Sequence, residues 1–499
     1  MIPIPDSRQI LRQHAPPLAF ALVGALFLFQ TASAAPFNIQ GPGVNPQDFR
    51  ITTFASGLDY PLGMVRLSDG SLLVAVSRFG GFFGNSNGQL IRLADTNQDG
   101  IADGAGQVLY TGLPGGQTSL RLWRNLIFVT GQGQGKPISI LRAGATPDAP
   151  LTLVGRINVN YPSGAWEHPH SALGIRATPG RTESCDLLFQ FGSDQNFAKT
   201  TRTGTLSSTN VAGATGVLEG DSIYMLTLTD NLTNVVASNL RHIARGLRNP
   251  AGFAFHPVTG DLYFGDNGID GLVDPNEPLS ADELNLIPAA QIGNGTVPDF
   301  GFPTNYIAYR TGALVGGQGI QPLVAFQPLP DPSTGSESEG PNDIAFAPPG
   351  FPPGLNNGIF IGFHGKFSGC CLANEENPLV FVDLTTTNYF HFIGNDEPGI
   401  GHLDGLLPTQ DSLFVADLTA NGSLSSGSAF GVIYQIKSLV SRVLSLSRSN
   451  NTPILTWTLG VLQKADSLPG AWSDVPGATS PYPIPIEPDR TGAFYRTRW

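Results

Sequence analysis

The chain has 499 residues, a formal net charge of −12 and only 13% charged residues. That acidic balance excludes nucleic acid and anionic membrane surfaces as electrostatic partners and suits a neutral or cationic ligand. Gly (61) and Pro (41) together make about a fifth of the chain, against a usual ~12%, so long surface helices laced with charge are excluded and β structure is expected.

The first element is an address. Arg8 and Arg12 precede the apolar run LAFALVGALFLF (residues 18–29), and Ala32-Ser33-Ala34 stands just before Ala35. A positive start, a short apolar stretch and an A-x-A site predict a signal peptide over 1–34 and a secreted or periplasmic mature protein. The run is too short to span a bilayer comfortably, and no later stretch reaches 18 consecutive apolar residues, so no membrane span is expected.

From there a short apolar run recurs after a turn signal. SDG-SLLVAV ends near Val76, WRN-LIFVT near Thr130 and ESCD-LLFQF at Phe191. TGD-LYFGD ends at Asp266, NNG-IFIGF at Phe363 and TQD-SLFVAD at Asp417. Several have an apolar strand before them (PLGMVRL, SALGIRA, PAGFAFH, PNDIAFA, LDGLLPT) and many have one after (GQLIRL, PISILRA, DSIYMLTL, PLVFVDL, GVIYQI). A strand–turn–strand–loop–strand unit repeated six times predicts an all-β fold, a six-bladed β-propeller over 35–438. A multi-sheet β-sandwich is the alternative. The runs are spaced 54 to 97 residues apart, so the insertions are expected as loops over the central channel. Past GVIYQIKSLV the texture changes to short, proline-rich strands, predicting a small β-sandwich-like module over 439–499. Cys185, Cys370 and Cys371 fit no zinc spacing, and both a bridge from Cys185 to one of the pair and a vicinal bridge remain open.

Five stretches carry candidate chemistry. In EHPHSALGIRATPG, His170 opens the inner strand of the third blade, with His168 on the same face if the segment is extended. His170 reads as a general base or as one ligand of a metal pair, the alternative being a loop histidine bonded to backbone. Asp194, closing the next strand in FQFGSDQN, is expected beside His170, fixing its tautomer. In GLRNPAGFAFHPVTGDLYFGDNG, Arg248 and Asn249 precede one hairpin strand while Asp266, Asn267 and Gly268 follow the other, so both ends aim polar groups at one channel mouth. An arginine there suits a carboxylate or a developing anion, or else loop carbonyls. DTNQDGIAD offers Asp95, Asn97, Asp99 and Asp103 around Gly100, the front half of a Ca²⁺ loop without its twelfth-position Glu, or a plain Asx turn. The acidic stretch 266–285, with Asp282 and Glu283, suits a hard cation near the mouth or a solvated loop.

Taken together these residues resemble the glucose/sorbosone dehydrogenase family, exported six-bladed propellers that use pyrroloquinoline quinone (PQQ) and Ca²⁺. The resemblance covers most of residues 50–437. It is strongest at GLRNPAGFAFHPVTGDLYFGDNGIDG and ADELNLI, with DTNQDGIAD, FGFP and HSALGIRATPG as further matches. It implies a dehydrogenase acting on a sugar or polyol hydroxyl or hydrated aldehyde and passing electrons to an acceptor. His170 would take the hydroxyl proton, Asp194 would partner it, and Arg248 and Asn249 would contact the quinone and the reacting oxygen. Glu283, with a backbone carbonyl near Phe300, matches a structural calcium site, and carbonyls near Gly268 would face the cofactor calcium. Lys366, in GFHGKF, stands one position from a cofactor-binding lysine. The last blade reads GIGHLDGLLPTQD, with His402 and no Arg where relatives place basic residues. That departure leaves two further readings: a non-catalytic propeller that binds glycan or protein, and a Ca²⁺-dependent hydrolase of the lactonase kind.

Overall fold

The computed structural model describes residues 35–499 apart from 79, 85–86, 272–273, 328–339, 365–378, 395–396, 441–443, 450–451, 458–459, 468, 486–492 and 499. The chain divides into two units at Ala34/Ala35, and every described residue belongs to the second. The expected signal peptide, Lys366, Cys370 and Cys371 lie outside the described residues.

The six apolar runs form Leu72–Ser77, Leu126–Gly131, Ser184–Phe191, Leu262–Asp266, Gly358–Phe363 and Ser412–Asp417, each the second strand of an antiparallel sheet. All six are buried along their whole length. Sheets pack on both of their faces, so the sequence shows continuous apolar runs rather than alternation. Burying each Phe or Leu of such a strand contributes about 1.5–3 kcal/mol. Truncating one, as in Phe264→Ala, is expected to cost about 3–5 kcal/mol.

The first strands are Met64–Arg66, Gln117–Trp123, Leu173–Ala177, Pro250–Phe255, Pro341–Phe346 and Gly405–Pro408. They neighbour one another in that order, and the last meets the first. The sixth sheet takes its outer strand from the far end of the chain: Phe49–Leu58 pairs antiparallel with Gly431–Ser438, Phe49 opposite Ser438. No local signal announced that pairing.

Two expectations change. The insertion after the third run does not gather as a loop over the channel. Thr203–Thr209 and Gly216–Glu219 extend the outer edge of the second sheet, and Val211–Ala212 adds a parallel strand to the third. The stretch read as an acidic loop ends in a strand, Glu283–Ile287, pairing with Leu262–Asp266 so that Glu283 lies opposite Asp266. Alternation of Leu284 and Leu286 with polar neighbours was its signal.

Beyond Val440 the described residues form two three-stranded sheets around Leu455, Trp457 and Leu462. Cys185 is a buried free thiol, pushed up to about 12 by burial. Among the described residues no helix is long and apolar enough to cross a membrane.

Candidate active site

A cavity of about 310 Å³ opens at the rim where the first strands begin and the second strands end. Its wall holds Thr118, His168, Ser171, Arg248, Asn249, Asn267, Gly268, Asp270, Asp282, Asn342, His364 and Asp404. Every sheet but the second supplies a residue just ahead of its inner strand (Leu62, Ser171, Asn249, Gly340 and Asp404), and the second supplies Thr118 from within it, which is why one ring of turns builds one site.

Of the two histidines in EHPH, the structure turns His168 to the cavity and buries His170 completely. The segment is not extended strand there, so the period-2 argument that put both on one face does not apply. His170 Nε2 donates to the Lys136 carbonyl at 2.7 Å, and Nδ1 accepts from the Tyr161 hydroxyl at 2.7 Å. Tyr161 Oη in turn accepts the His170 backbone N–H, and the two rings stack. Both nitrogens are occupied by a structural network, and burial pulls the imidazole down to about 4. In this arrangement His170 does not reach the cavity wall.

Asp194 likewise stands apart from His170. Its carboxylate accepts from Arg202 Nε at 2.6 Å and Thr200 Oγ1 at 3.1 Å, and Arg202 also grips the carbonyls of Ser163 and Ala165. Asp194 therefore ties two loops together. The residue that meets a cavity histidine is its neighbour, Ser193, whose Oγ is 2.9 Å from His168 Nδ1. Ser193 Oγ–H donates to the Gln195 carbonyl, so its oxygen accepts from Nδ1–H. This pattern assigns the Nε2 lone pair of His168 outward. Burial and the nearby Arg248 charge hold this imidazole well below its usual pKa, so it is neutral at neutral pH and carries a free lone pair on Nε2. His168 and Ser193 stand two and one residues from the expected His170 and Asp194.

Arg248 is buried, with four of its five guanidinium N–H groups bonded to neighbouring loops. Nε donates to the Asn196 carbonyl at 3.1 Å, Nη1 to the Asn267 carbonyl at 3.4 Å, and Nη2 to Asp270 at 2.6 Å and to Asn196 Oδ1. Asp266 does not face the ligand space: its two oxygens accept the backbone N–H of Arg248 at 3.0 Å and Asn249 at 2.7 Å. Asp417 makes the same arrangement in the sixth sheet, accepting the amides of Gly401 and His402 at 2.9 Å. An aspartate closing the second strand thus locks the turn that enters the first strand, which explains LYFGD and SLFVAD.

The candidate cation residues divide. Asp282 accepts the Gly268 and Gly340 amides, each at 2.7 Å. A Cβ on Gly268 would sit 2.2 Å from the Ser280 carbonyl oxygen, so only glycine fits that close approach. Glu283 is held neutral by burial and the facing Asp266 carboxylate, its pKa raised to about 8. Beside it Asn285 accepts nothing at its buried Oδ1 while its Nδ2 donates to Glu283 at 3.1 Å. A buried carboxylate next to an unpartnered amide oxygen is a donor set that fits a hard cation. The Phe300 carbonyl accepts from Asn305 Nδ2 at 2.8 Å. In the 95–103 loop, Asp95 accepts the amides of Asp99 and Gly100, Asp99 that of Ile101, and Asp103 that of Thr96. These oxygens close an Asx turn on their own loop.

Among the described residues one set of three His, Cys, Asp or Glu ligand atoms gathers within 4.8 Å: His364, His402 and Asp404. His364 and Asp404 line the cavity. Only His402 had been singled out; the spacing H-x-D was the missed signal.

No family model matches the chain. A protein of Borreliella burgdorferi, described as uncharacterized, is 44% identical over 61 residues, 12% of this chain and 14% of that protein. The chain thus matches only a small part of that relative's length. Two solved structures share the fold. The holo PQQ domain of pyranose dehydrogenase from Coprinopsis cinerea is 15% identical with a TM-score of 0.50, covering 81% of this chain and 98% of that one. An iodide structure of a carbohydrate-active enzyme of family AA12 from Trichoderma reesei is 16% identical with a TM-score of 0.51, again covering 81% and 98%. At such identities the likeness is one of fold.

Proposed function

We propose that this chain is an exported quinoprotein dehydrogenase, a six-bladed β-propeller over 35–438 with a small β module over 439–499. Its substrate is a sugar or polyol, oxidised at a hydroxyl or hydrated aldehyde, and its cofactors are PQQ and Ca²⁺. The observation that carries the reading is His168: a buried neutral imidazole, oriented by Ser193, on the wall that also holds Arg248 and Asn249. The two enzymes of the same fold support it, one of them the PQQ domain of a pyranose dehydrogenase.

The residues fit the reacting edge of such a cofactor. Arg248 and Asn249 would hold it, with Thr118, Gln132 and Asn342 as further polar groups on the wall, and Glu283 with Asn285 would hold a structural calcium. Bound there, the quinone would supply the hydride acceptor. The protein's own work is then defined. His168 Nε2 takes the hydroxyl proton, Ser193 keeps Nδ1 protonated, and Arg248 and Asn249 orient the reacting oxygen and favour negative charge on it. An external electron acceptor completes turnover.

The second reading is a non-catalytic propeller that binds glycan or protein at the same rim. It is favoured by the part of the wall that the sixth sheet builds, where GIGHLDG brings a histidine and an aspartate instead of arginine, and by the pairing of Arg248 with Asp270 at 2.6 Å. Reconstitution with the quinone and Ca²⁺, then reduction of an artificial electron acceptor with a panel of aldoses, separates the two. Retained quinone absorbance with turnover supports the dehydrogenase; neither absorbance nor turnover sinks it.

A further inference from the structure

We propose that His364, His402 and Asp404 form a binding site for one divalent first-row transition metal in the cavity wall. His364 directly follows Gly358–Phe363, while His402 and Asp404 directly precede Gly405–Pro408, so two adjacent sheets bring the set together. His364 Nδ1 lies 2.9 and 3.1 Å from the two Asp404 oxygens. Metal bonds of about 2.0–2.2 Å at right angles place neighbouring ligand atoms about 3 Å apart, so this pair already has the separation that a shared ion requires.

The third ligand is built in. His402 is fully buried, with Nδ1 against the His364 carbonyl and Nε2 3.2 Å from the Gly422 carbonyl. A neutral imidazole carries one N–H, so one of these nitrogens presents a lone pair to an oxygen rather than a proton. The two imidazoles stack with centroids 4.6 Å apart, and one ligand atom from each of the three residues lies within 4.8 Å of the other two.

The supporting groups are those of a held site. Asn342 Nδ2 donates to Asp404 Oδ1 at 3.1 Å, and Asp417 fixes the His402 turn through the amides of Gly401, His402 and Thr419. Outer-shell bonds of this kind orient metal ligands. Two imidazoles and one carboxylate, with the remaining positions facing a cavity, select Fe²⁺, Co²⁺ or Zn²⁺ over the oxygen-seeking Ca²⁺. An ion there also places positive charge on the wall that lacks arginine. The site stands whether or not the cavity holds a quinone.

The test uses the mature chain without a polyhistidine tag, stripped by chelator and kept in excess Ca²⁺ so that oxygen sites are filled. Co²⁺ is titrated by calorimetry and visible absorbance, and Cu²⁺ is examined by electron paramagnetic resonance. Expected are one Co²⁺ per chain resistant to Ca²⁺ and nitrogen hyperfine coupling from two imidazoles. His364→Gln, at a partly exposed side chain, and the isosteric Asp404→Asn should each weaken Co²⁺ binding more than about 10-fold, with circular dichroism unchanged. Absence of Co²⁺ binding in excess Ca²⁺, or binding unmoved in both variants, overturns the site. Quinone retention is read separately in metal-free protein, so its failure touches only the dehydrogenase reading.

Discussion

His168 Nδ1 and Ser193 Oγ lie 2.9 Å apart, and the serine's own proton is committed to the Gln195 carbonyl. His168 is therefore oriented by a hydroxyl rather than by a carboxylate. A hydroxyl fixes the tautomer as a carboxylate would, but it adds no negative charge to raise basicity.

That difference makes a kinetic prediction for the reconstituted enzyme. His168→Ala should lower kcat by about 10²–10⁴-fold while quinone binding persists; Ser193→Ala, losing one neutral hydrogen bond, should cost about 10-fold. His168 is held below 6.5 by burial, so kcat/KM should stay level down through pH 6.5 and fall only on further acidification. Ser193→Asp should move that acid limb upward. A wild-type limb at or above pH 6.5 would contradict the assignment.

His170 should behave as a stability residue. Its folded-state pKa is depressed to about 4, so between pH 6.5 and 4 the unfolded chain takes up the proton first. Its contribution is present above pH 6.5 and lost as pH falls toward 4, roughly 3 kcal/mol in all. Urea unfolding of wild type and His170→Gln at pH 7 and pH 4.5 measures this. The variant should be less stable at pH 7, and its loss on acidification should be smaller.

Asp266 is predicted to act through two backbone amides. Asp266→Ala leaves the buried N–H groups of Arg248 and Asn249 without acceptors, at about 1–3 kcal/mol each. Asp266→Asn keeps one acceptor and removes the repulsion from Asp282 that, with burial, raises Asp266 to about 7. Denaturant midpoints should therefore rank Asn well above Ala, and equal losses would refute the turn-lock role.

Calcium at Glu283 and Asn285 should be visible without turnover. Wild type should lose one Ca²⁺ per chain in Glu283→Ala by elemental analysis. At a free Ca²⁺ of 100 times Kd the bound ion contributes about 2.7 kcal/mol, so EGTA should lower the wild-type Tm and leave that of the variant unmoved.

The strands were legible because their cause is local. A turn signal followed by five or six apolar residues means a hairpin strand buried on both faces, and all six such runs became second strands. Arg248, Asn249 and Gly268 were legible for the same reason: hairpin geometry alone brings the two ends of one unit to one rim.

What the tertiary structure decided is partner choice across long separations. Which histidine of EHPH faces the cavity depends on Tyr161, 9 residues back, reaching over to bond His170. Whether Asp194 serves a histidine depends on Arg202 claiming it first. The pairing of Phe49–Leu58 with Gly431–Ser438 and the meeting of His364 with Asp404, 40 residues apart, leave no periodic trace in the chain. Periodicity records which face of an element is apolar; it holds no record of which polar group arrives from elsewhere to fill the remaining bond.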